Sequence, residues 1–239
     1  MLIRRLTEDL RSQNWTAVIL DLCMVVLGVF IGIQVSNWNE ARVERAERVL
    51  VELRLQDDFR VLTTELDSAE AYTARVIQSL GVLRHALDRG TVEAAEDEVI
   101  RFAIRRGYSH PTFVRHSPTY SELVASGRLD LISDETLRTA LARYEEQAQN
   151  RLFNLGQLRN IVDRLDLYLP EYATLAPIGE DEDGIQSVVG YDLAGMRADD
   201  RFREQLDVLV DVQGWIHSNI FYLQRDIAAV VRTLRETEQ

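Results

Sequence analysis

His110 and His116 lie six residues apart in YSHPTFVRHSP, residues 108–118, with Tyr108, Arg115 and Tyr120 close by. A histidine pair can ligate a metal, but a third donor at useful spacing is missing locally. Neither histidine lies in an HExxH or H-x-E context, where an adjacent glutamate would activate a metal-bound water. Packing in a loop and contact with solvent are the expected roles. His85 and His217 each stand alone on helical stretches and are expected to be structural or exposed. Ser109, Ser117 and Ser121 lack a GxSxG elbow, and Ser117-Pro118 reads better as a helix start. No GxGxxG or GxxxxGK[ST] occurs, so nucleotide binding has no support. The acidic run Glu180 to Asp183 lacks the alternating ligands and distal glutamate of a calcium loop, and a solvated loop is expected. The sequence offers no catalytic residue, no cofactor site and no metal ligand set.

One ionisable group is placed unusually. Asp21 is the only such residue between Trp15 and Trp38 in WTAVILDLCMVVLGVFIGIQVSNW. Asp21, Gly28, Gly32 and Ser36 follow at steps of seven, four and four, and Ala17 extends the stripe by one turn. At about 100° per residue, Asp21 to Ser36 fall within roughly 80° of one helix face. Gly28 to Gly32 is a GxxxG motif, which lets a second helix approach closely where hydrophobicity supplies no driving force. A carboxyl group about 9 Å below Trp15 is costly facing lipid and normally faces protein or water. The chemistry to expect here is helix association.

The element that must carry this face is a transmembrane helix. About 20 apolar residues at about 1.5 Å each cross the roughly 30 Å hydrocarbon core. Trp15 and Trp38 stand where interfacial aromatic anchors belong. The apolar region is too long for a cleaved signal peptide, and no small-residue cleavage pattern follows it. The leader, residues 1–14, carries Arg4, Arg5 and Arg11, while Arg42, Arg45 and Arg48 follow the span, interleaved with Glu40, Glu44 and Glu47. The basic residues nearly tie. A short leader before a long domain favours the leader in the cytoplasm and the domain outside, because long domains translocate largely regardless of charge.

The chain has 239 residues and a net charge of -12. That balance argues against nucleic acid and against a domain lying flat on anionic lipid. All 27 basic residues are arginine. Cys23 is the single cysteine, so no intrachain disulfide can form and cysteine usage does not indicate a redox compartment.

After a charged stalk at residues 39–49, apolar residues recur at alternating steps of three and four. The first seam holds Phe59, Leu62, Leu66, Ala69, Val76, Leu80, Leu83 and Leu87, with Thr73 filling a slot. Such seams mark helices packed at a shallow angle. Gly90 supplies a C-cap. Thr91 starts a short helix through Arg106, ended by Gly107, and Gly127 ends the short helix that follows Ser117. Ser133 caps a long helix from Asp134 to about Leu169, which Pro170 stops. Its seam runs from Leu137 and Leu141 through Leu152 to Leu165 and Leu169. Residues 170–199 read as a loop, with one turn of helix near Tyr191 to Gly195. A third long helix runs from Asp199 to Glu236, with Gln213 in one seam slot. The fold class is therefore all-α: a single transmembrane helix at 15–38, then an antiparallel bundle of three long helices with short capping helices over 50–239. On that arrangement the second long helix returns toward the membrane, the 170–199 loop lies beside it, and the third helix climbs again.

Two stretches resemble a known family. They are residues 4–42, RRLTEDLRSQNWTAVILDLCMVVLGVFIGIQVSNWNEAR, and residues 119–146, TYSELVASGRLDLISDETLRTALARYEE. The second carries GRL-x-x-I-x-[DN]-x-x-L-R as Gly127, Arg128, Leu129, Ile132, Asp134, Leu137 and Arg138. The pattern resembles a family of uncharacterised bacterial single-pass membrane proteins, classed only as a domain of unknown function. The resemblance implies the same architecture in a bacterial inner membrane, and it implies no activity, cofactor or catalytic residue. Within the motif, Gly127 suits a left-handed helix end, and Arg128 suits a carboxylate such as Asp130 or Glu135.

The reading that results is a membrane-anchored interaction or scaffold protein, of the kind that serves as a subunit of an envelope complex. Its expected partners are membrane lipid and, through Ala17, Asp21, Gly28, Gly32 and Ser36, a second copy or another membrane protein. A ligand-binding sensor ectodomain is the alternative, and a membrane-tethered enzyme ranks below both.

Overall fold

The computed structural model describes residues 15–113, 116–165, 169–176 and 187–237; the side chains of residues 15–19, 21, 169, 170 and 237 lie outside that description. The leader, Arg115 and the acidic run at 180–183 are also outside it. The chain is mostly helical. It divides into two compact units, one ending at Val51 and one beginning at Glu52.

The described residues of the first unit, from Trp15 onward, are helix. They are the opening part of α1, Trp15–Arg89. Leu20 to Trp38 carry large apolar side chains that are 53% to 63% exposed. In the charged stretch that follows, two arginines bond within their own helix. Arg48 pairs with Glu44 at 2.6 Å, and Arg45 Nε donates to the Ala41 carbonyl at 2.9 Å.

The second unit takes α1 from Glu52 onward. It continues with α2 (Asp97–Arg106), α3 (Pro118–Ser126), α4 (Glu135–Arg164), α5 (Leu193–Ala198) and α6 (Asp200–Thr237). The seams become its core. Phe59, Leu62, Leu66, Leu80 and Leu83 of α1 are at most 1% exposed, as are Leu137 and Leu141 of α4 and Leu206, Leu209, Ile216, Ile220 and Ile227 of α6. Burying one such side chain contributes roughly 1.5–3 kcal/mol. Leu152 and Leu165, expected in the α4 seam, are only half-buried.

The helices do not alternate as expected. Moving up α1, partners on α6 descend: Asp67 with Gln224, Glu70 with His217, Arg84 with Asp207 and Asp88 with Arg203. Thus α1 and α6 are antiparallel. Helix α4 is also antiparallel to α6. Thr136 and Thr139 share a groove with Ala229 and Thr233, and further along α4 Arg151 pairs with Asp226 at 3.0 Å. So α1 and α4 run in the same sense, with Phe59 and Tyr144 in edge-to-face contact at 5.2 Å. The crossover is the segment after α2. Gln213 holds the Gly107 carbonyl at 2.7 Å, whereas Asp58 holds the Thr119 amide at 2.9 Å. About ten residues, 108–117, separate these two contacts, and at roughly 3.3 Å each they are long enough to run from the level of Gln213 on α6 to the level of Asp58 on α1. Consequently the described parts of the connection, residues 171–176 and 187–199, lie at the Arg89 end of this unit and α6 runs back from there, the reverse of the expected placement.

Several boundaries also move. Helix α2 begins at Asp97, not Thr91. The preceding residues form a tight turn, with Glu96 N–H on the Glu93 carbonyl at 2.9 Å and the Glu96 carboxylate accepting from Glu93 N–H at 3.0 Å. Gly107 closes α2 with right-handed φ of -57°. Gly90 and Gly127 are left-handed, at 75° and 69°, as C-cap glycines should be. Asp134, not Ser133, caps α4, accepting from the Thr136 and Leu137 amides. Helix α4 stops at Arg164, before Leu169. The 170–199 stretch is more than a loop. Ala173–Leu175 (β1) pairs antiparallel with Val188–Tyr191 (β2), and α5 follows, capped by Asp192 at 2.9 Å from Gly195 N–H.

Candidate functional site

The first unit offers one face. Among the described residues, one helix is long and apolar enough to cross a membrane, and none of its most apolar window is buried. Gly28 and Gly32 leave open space, since a Cβ added at either would meet nothing within 4 Å. Ser36 donates to Glu40 Oε1 at 3.2 Å, so its hydroxyl is turned along its own helix. Trp38 is 63% exposed. The backbones of Trp15, Ala17 and Asp21 are helical, while their side chains lie outside the described residues. A helix satisfies all its interior backbone groups by itself. What this face can do is accept lipid or another helix.

The second unit concentrates its polar chemistry at the Arg89 end. Tyr191 donates its hydroxyl to Asp97 at 2.8 Å. Arg101 donates to the same carboxylate at 2.8 Å and to the Val188 carbonyl at 2.7 Å. These bonds fasten the hairpin to α2. Tyr172 donates to Asp199 at 2.6 Å. The Arg101 guanidinium, then the Tyr191 hydroxyl, hold Asp97 below the usual carboxylate range. The Tyr172 hydroxyl lowers Asp199 in the same way. Tyr191 is pushed up to about 12, chiefly by burial and then by Asp97. Tyr172 reaches about 12 through its bond to Asp199. A general acid or base is tuned toward neutrality, and these four groups are displaced away from it. They act as fasteners.

The histidines do not converge. His116 Nδ1 lies 3.0 Å from Glu145. His217 is not alone, because it meets Glu70 of α1 at 2.8 Å. Burial, followed by the Arg159 charge, pushes His110 below its ordinary value. Among the described residues no group of three or more histidine, cysteine or acidic side chains is placed to hold a metal ion. A groove of about 450 Å³ runs between α4 and α6, lined by Thr136, Arg143, Tyr144, Gln147 and Asp226 among others.

The GRL motif turns out to be a turn-and-cap device. Gly127 and Arg128 donate their backbone N–H groups to the last carbonyls of α3, Arg128 to Leu123 at 2.9 Å. Leu131 and Ile132 are buried. Asp134 then caps α4. Arg138 reaches back to the Ile132 carbonyl at 3.0 Å and pairs with Glu135. Two structural residues lie outside this motif. Asp58 accepts from Ser117 Oγ at 2.6 Å and from the Thr119 amide, and nothing in the spacing of α1 announces that it anchors α3. Gln213 is wholly buried and clamps the Gly107 and Ser109 carbonyls. A polar residue in a seam slot was its signal.

The sequence profile of a family of unknown function (DUF6090) matches residues 21–164. That span begins inside the apolar helix, contains the α3–α4 turn device and ends where α4 ends. No curated protein and no solved structure matches the chain.

Proposed function

We propose, since the chain belongs to this family of unknown function, DUF6090, that it is a membrane-anchored helical interaction or scaffold protein. Residues 15–38 cross a bacterial inner membrane once, with the leader in the cytoplasm and the rest in the periplasm. The second unit is a bundle of three long helices that presents surfaces to other envelope proteins. One observation carries this reading: a helix apolar all round, with no part of its most apolar window buried. Such a helix has no stable home in water. The helix-association face, Asp21, Gly28, Gly32 and Ser36 with Ala17, lies on that segment.

Affinity purification of the full chain from native membranes, with mass spectrometry, tests the interaction role. A stable membrane partner lost on Gly28→Leu with Gly32→Leu is the expected result. Recovery of the chain alone, with both variants alike, would sink it. An alkaline phosphatase fusion at the C-terminus tests the topology and should be active. An active cytoplasmic reporter there would reverse the orientation.

The groove between α4 and α6 favours a second reading, a ligand-binding domain. Its size falls within the roughly 300–1,000 Å³ of small-molecule sites. A metabolite panel that raises the melting temperature of the wild type, but not of Arg143→Ala, would support that reading over the first.

A further inference from the structure

Past its most apolar window, α1 carries a second seam that its own unit leaves exposed. Ser36, Asn39, Val43, Ala46 and Leu50 follow at alternating steps of three and four. At about 100° per residue they lie within roughly 80° of one face. All five are exposed, Val43 and Leu50 by 50% and 56%. Aliphatic side chains at heptad spacing on an otherwise charged stretch are the mark of a coiled-coil strand. With Val43 and Leu50 at a, and Asn39 and Ala46 at d, the flanking e positions are Glu40 and Glu47, and Arg42 holds g.

The flanking charges choose the occupant. In a parallel, in-register pair, each g residue faces the e residue five positions on in the other strand. Arg42 then faces Glu47 of the second copy, and symmetry repeats the pair. In an antiparallel pair e faces e and g faces g, setting glutamate against glutamate and arginine against arginine. Opposite charges across such a seam set partner and orientation. We infer that residues 36–50 are the contact between two copies of this chain, wound as a parallel two-stranded coiled coil. This rests on the anchored-interaction reading above and names a second copy as the partner. Two chains anchored in one orientation can pair only in parallel, which agrees with the charge pattern.

The experiment uses the full chain in membranes, with Cys23→Ser to remove the native thiol. Val43→Cys and Leu50→Cys place a thiol in the seam; Arg45→Cys places one on the far side. Under mild oxidation the seam variants should give about tenfold more covalent dimer than Arg45→Cys, because a disulfide needs Cα atoms roughly 4.4–6.8 Å apart. Adding Arg42→Glu should cut dimer formation by Val43→Cys several-fold, and adding Glu47→Arg as well should restore it. Equal cross-linking at Arg45→Cys, or monomer throughout, overturns the inference. If the monomeric chain still co-purifies with another membrane protein through the Gly28 and Gly32 face, the anchored-interaction reading survives without the second copy. If nothing co-purifies, both fail.

Discussion

Helix α1 is built from apolar residues at both ends of its length, yet the two regions behave oppositely. Between Leu20 and Trp38 the apolar side chains point in every direction and all are exposed. Between Leu55 and Leu87 most of them occupy one stripe, and every seam position is buried, Leu55, Val76, Leu80 and Leu83 to 0% exposure. The two regions differ in the amount of hydrophobicity and also in its angular distribution. A helix apolar on one stripe is satisfied by protein on one side and water on the other, whereas one apolar all round needs an apolar surrounding. The contrast separates the residues that hold this fold together from those that place the chain.

The largest effect should come from shortening a seam residue. Leu66→Ala, Leu141→Ala or Leu209→Ala removes a side chain at most 1% exposed and should cost about 2–5 kcal/mol. Leu27→Ala, in the other region and 57% exposed, should change the stability of the second unit by less than about 0.5 kcal/mol. Chemical denaturation of the full chain in detergent measures both. Equal losses would erase the distinction between the two regions.

Gln213 comes next. Its amide holds two carbonyls of the crossover segment from inside the α6 seam. Gln213→Leu fills the slot but leaves both acceptors without that donor, at a cost of about 1–3 kcal/mol. Hydrogen exchange should quicken around residues 107–111 more than in α4. If Gln213→Leu stabilises the protein, the slot belongs with the ordinary seam.

A smaller effect depends on pH. Asp97 and Asp199 both titrate lower in the folded chain than their ordinary values. The folded state therefore binds fewer protons than the unfolded one in the acid range. Their contribution is complete above the ordinary carboxylate range and is lost as pH falls through the lowered values, below about pH 4. Exchange at Val188 to Tyr191 should rise there before exchange in the α1 seam does. Asp97→Asn should make the hairpin loose already at neutral pH and flatten the acid response. An unchanged acid response would remove Asp97 from the fastening role.

What was legible in the sequence follows the same division. The seams of α1, α4 and α6 could be read because burial on one side imposes a period, and Gly90 and Gly127 because a left-handed cap demands glycine. The sense of α4 could not be read. A crossover of about ten residues can lie across one end or run the length of its neighbours, and only the Gln213 and Asp58 contacts decide between these. The hairpin could not be read either, because strands as short as Ala173–Leu175 and Val188–Tyr191, one of them containing Gly190, show no alternation to detect. Of the candidate face, the spacing of Gly28, Gly32 and Ser36 was plain. The turning of Ser36 toward Glu40 was not, since it depends on a rotamer.

The smallest expected effect on the fold is also the sharpest test of the comparison. Gly28→Leu with Gly32→Leu adds two large side chains where an added Cβ meets nothing within 4 Å. Leucine is the better helix former by nearly 1 kcal/mol per site, so α1 should not weaken there. The melting of the second unit should stay within about 0.5 kcal/mol of wild type. Association in a membrane-dimerisation reporter should nonetheless fall, because the two added side chains fill the gap through which another backbone would approach. Asp21→Leu should lower it further by removing a polar group that lipid disfavours. Intact melting with lost association would show that this part of α1 is kept for a neighbour and not for its own fold. Intact melting with unchanged association would return Gly28 and Gly32 to ordinary membrane-helix composition and leave the face without a purpose.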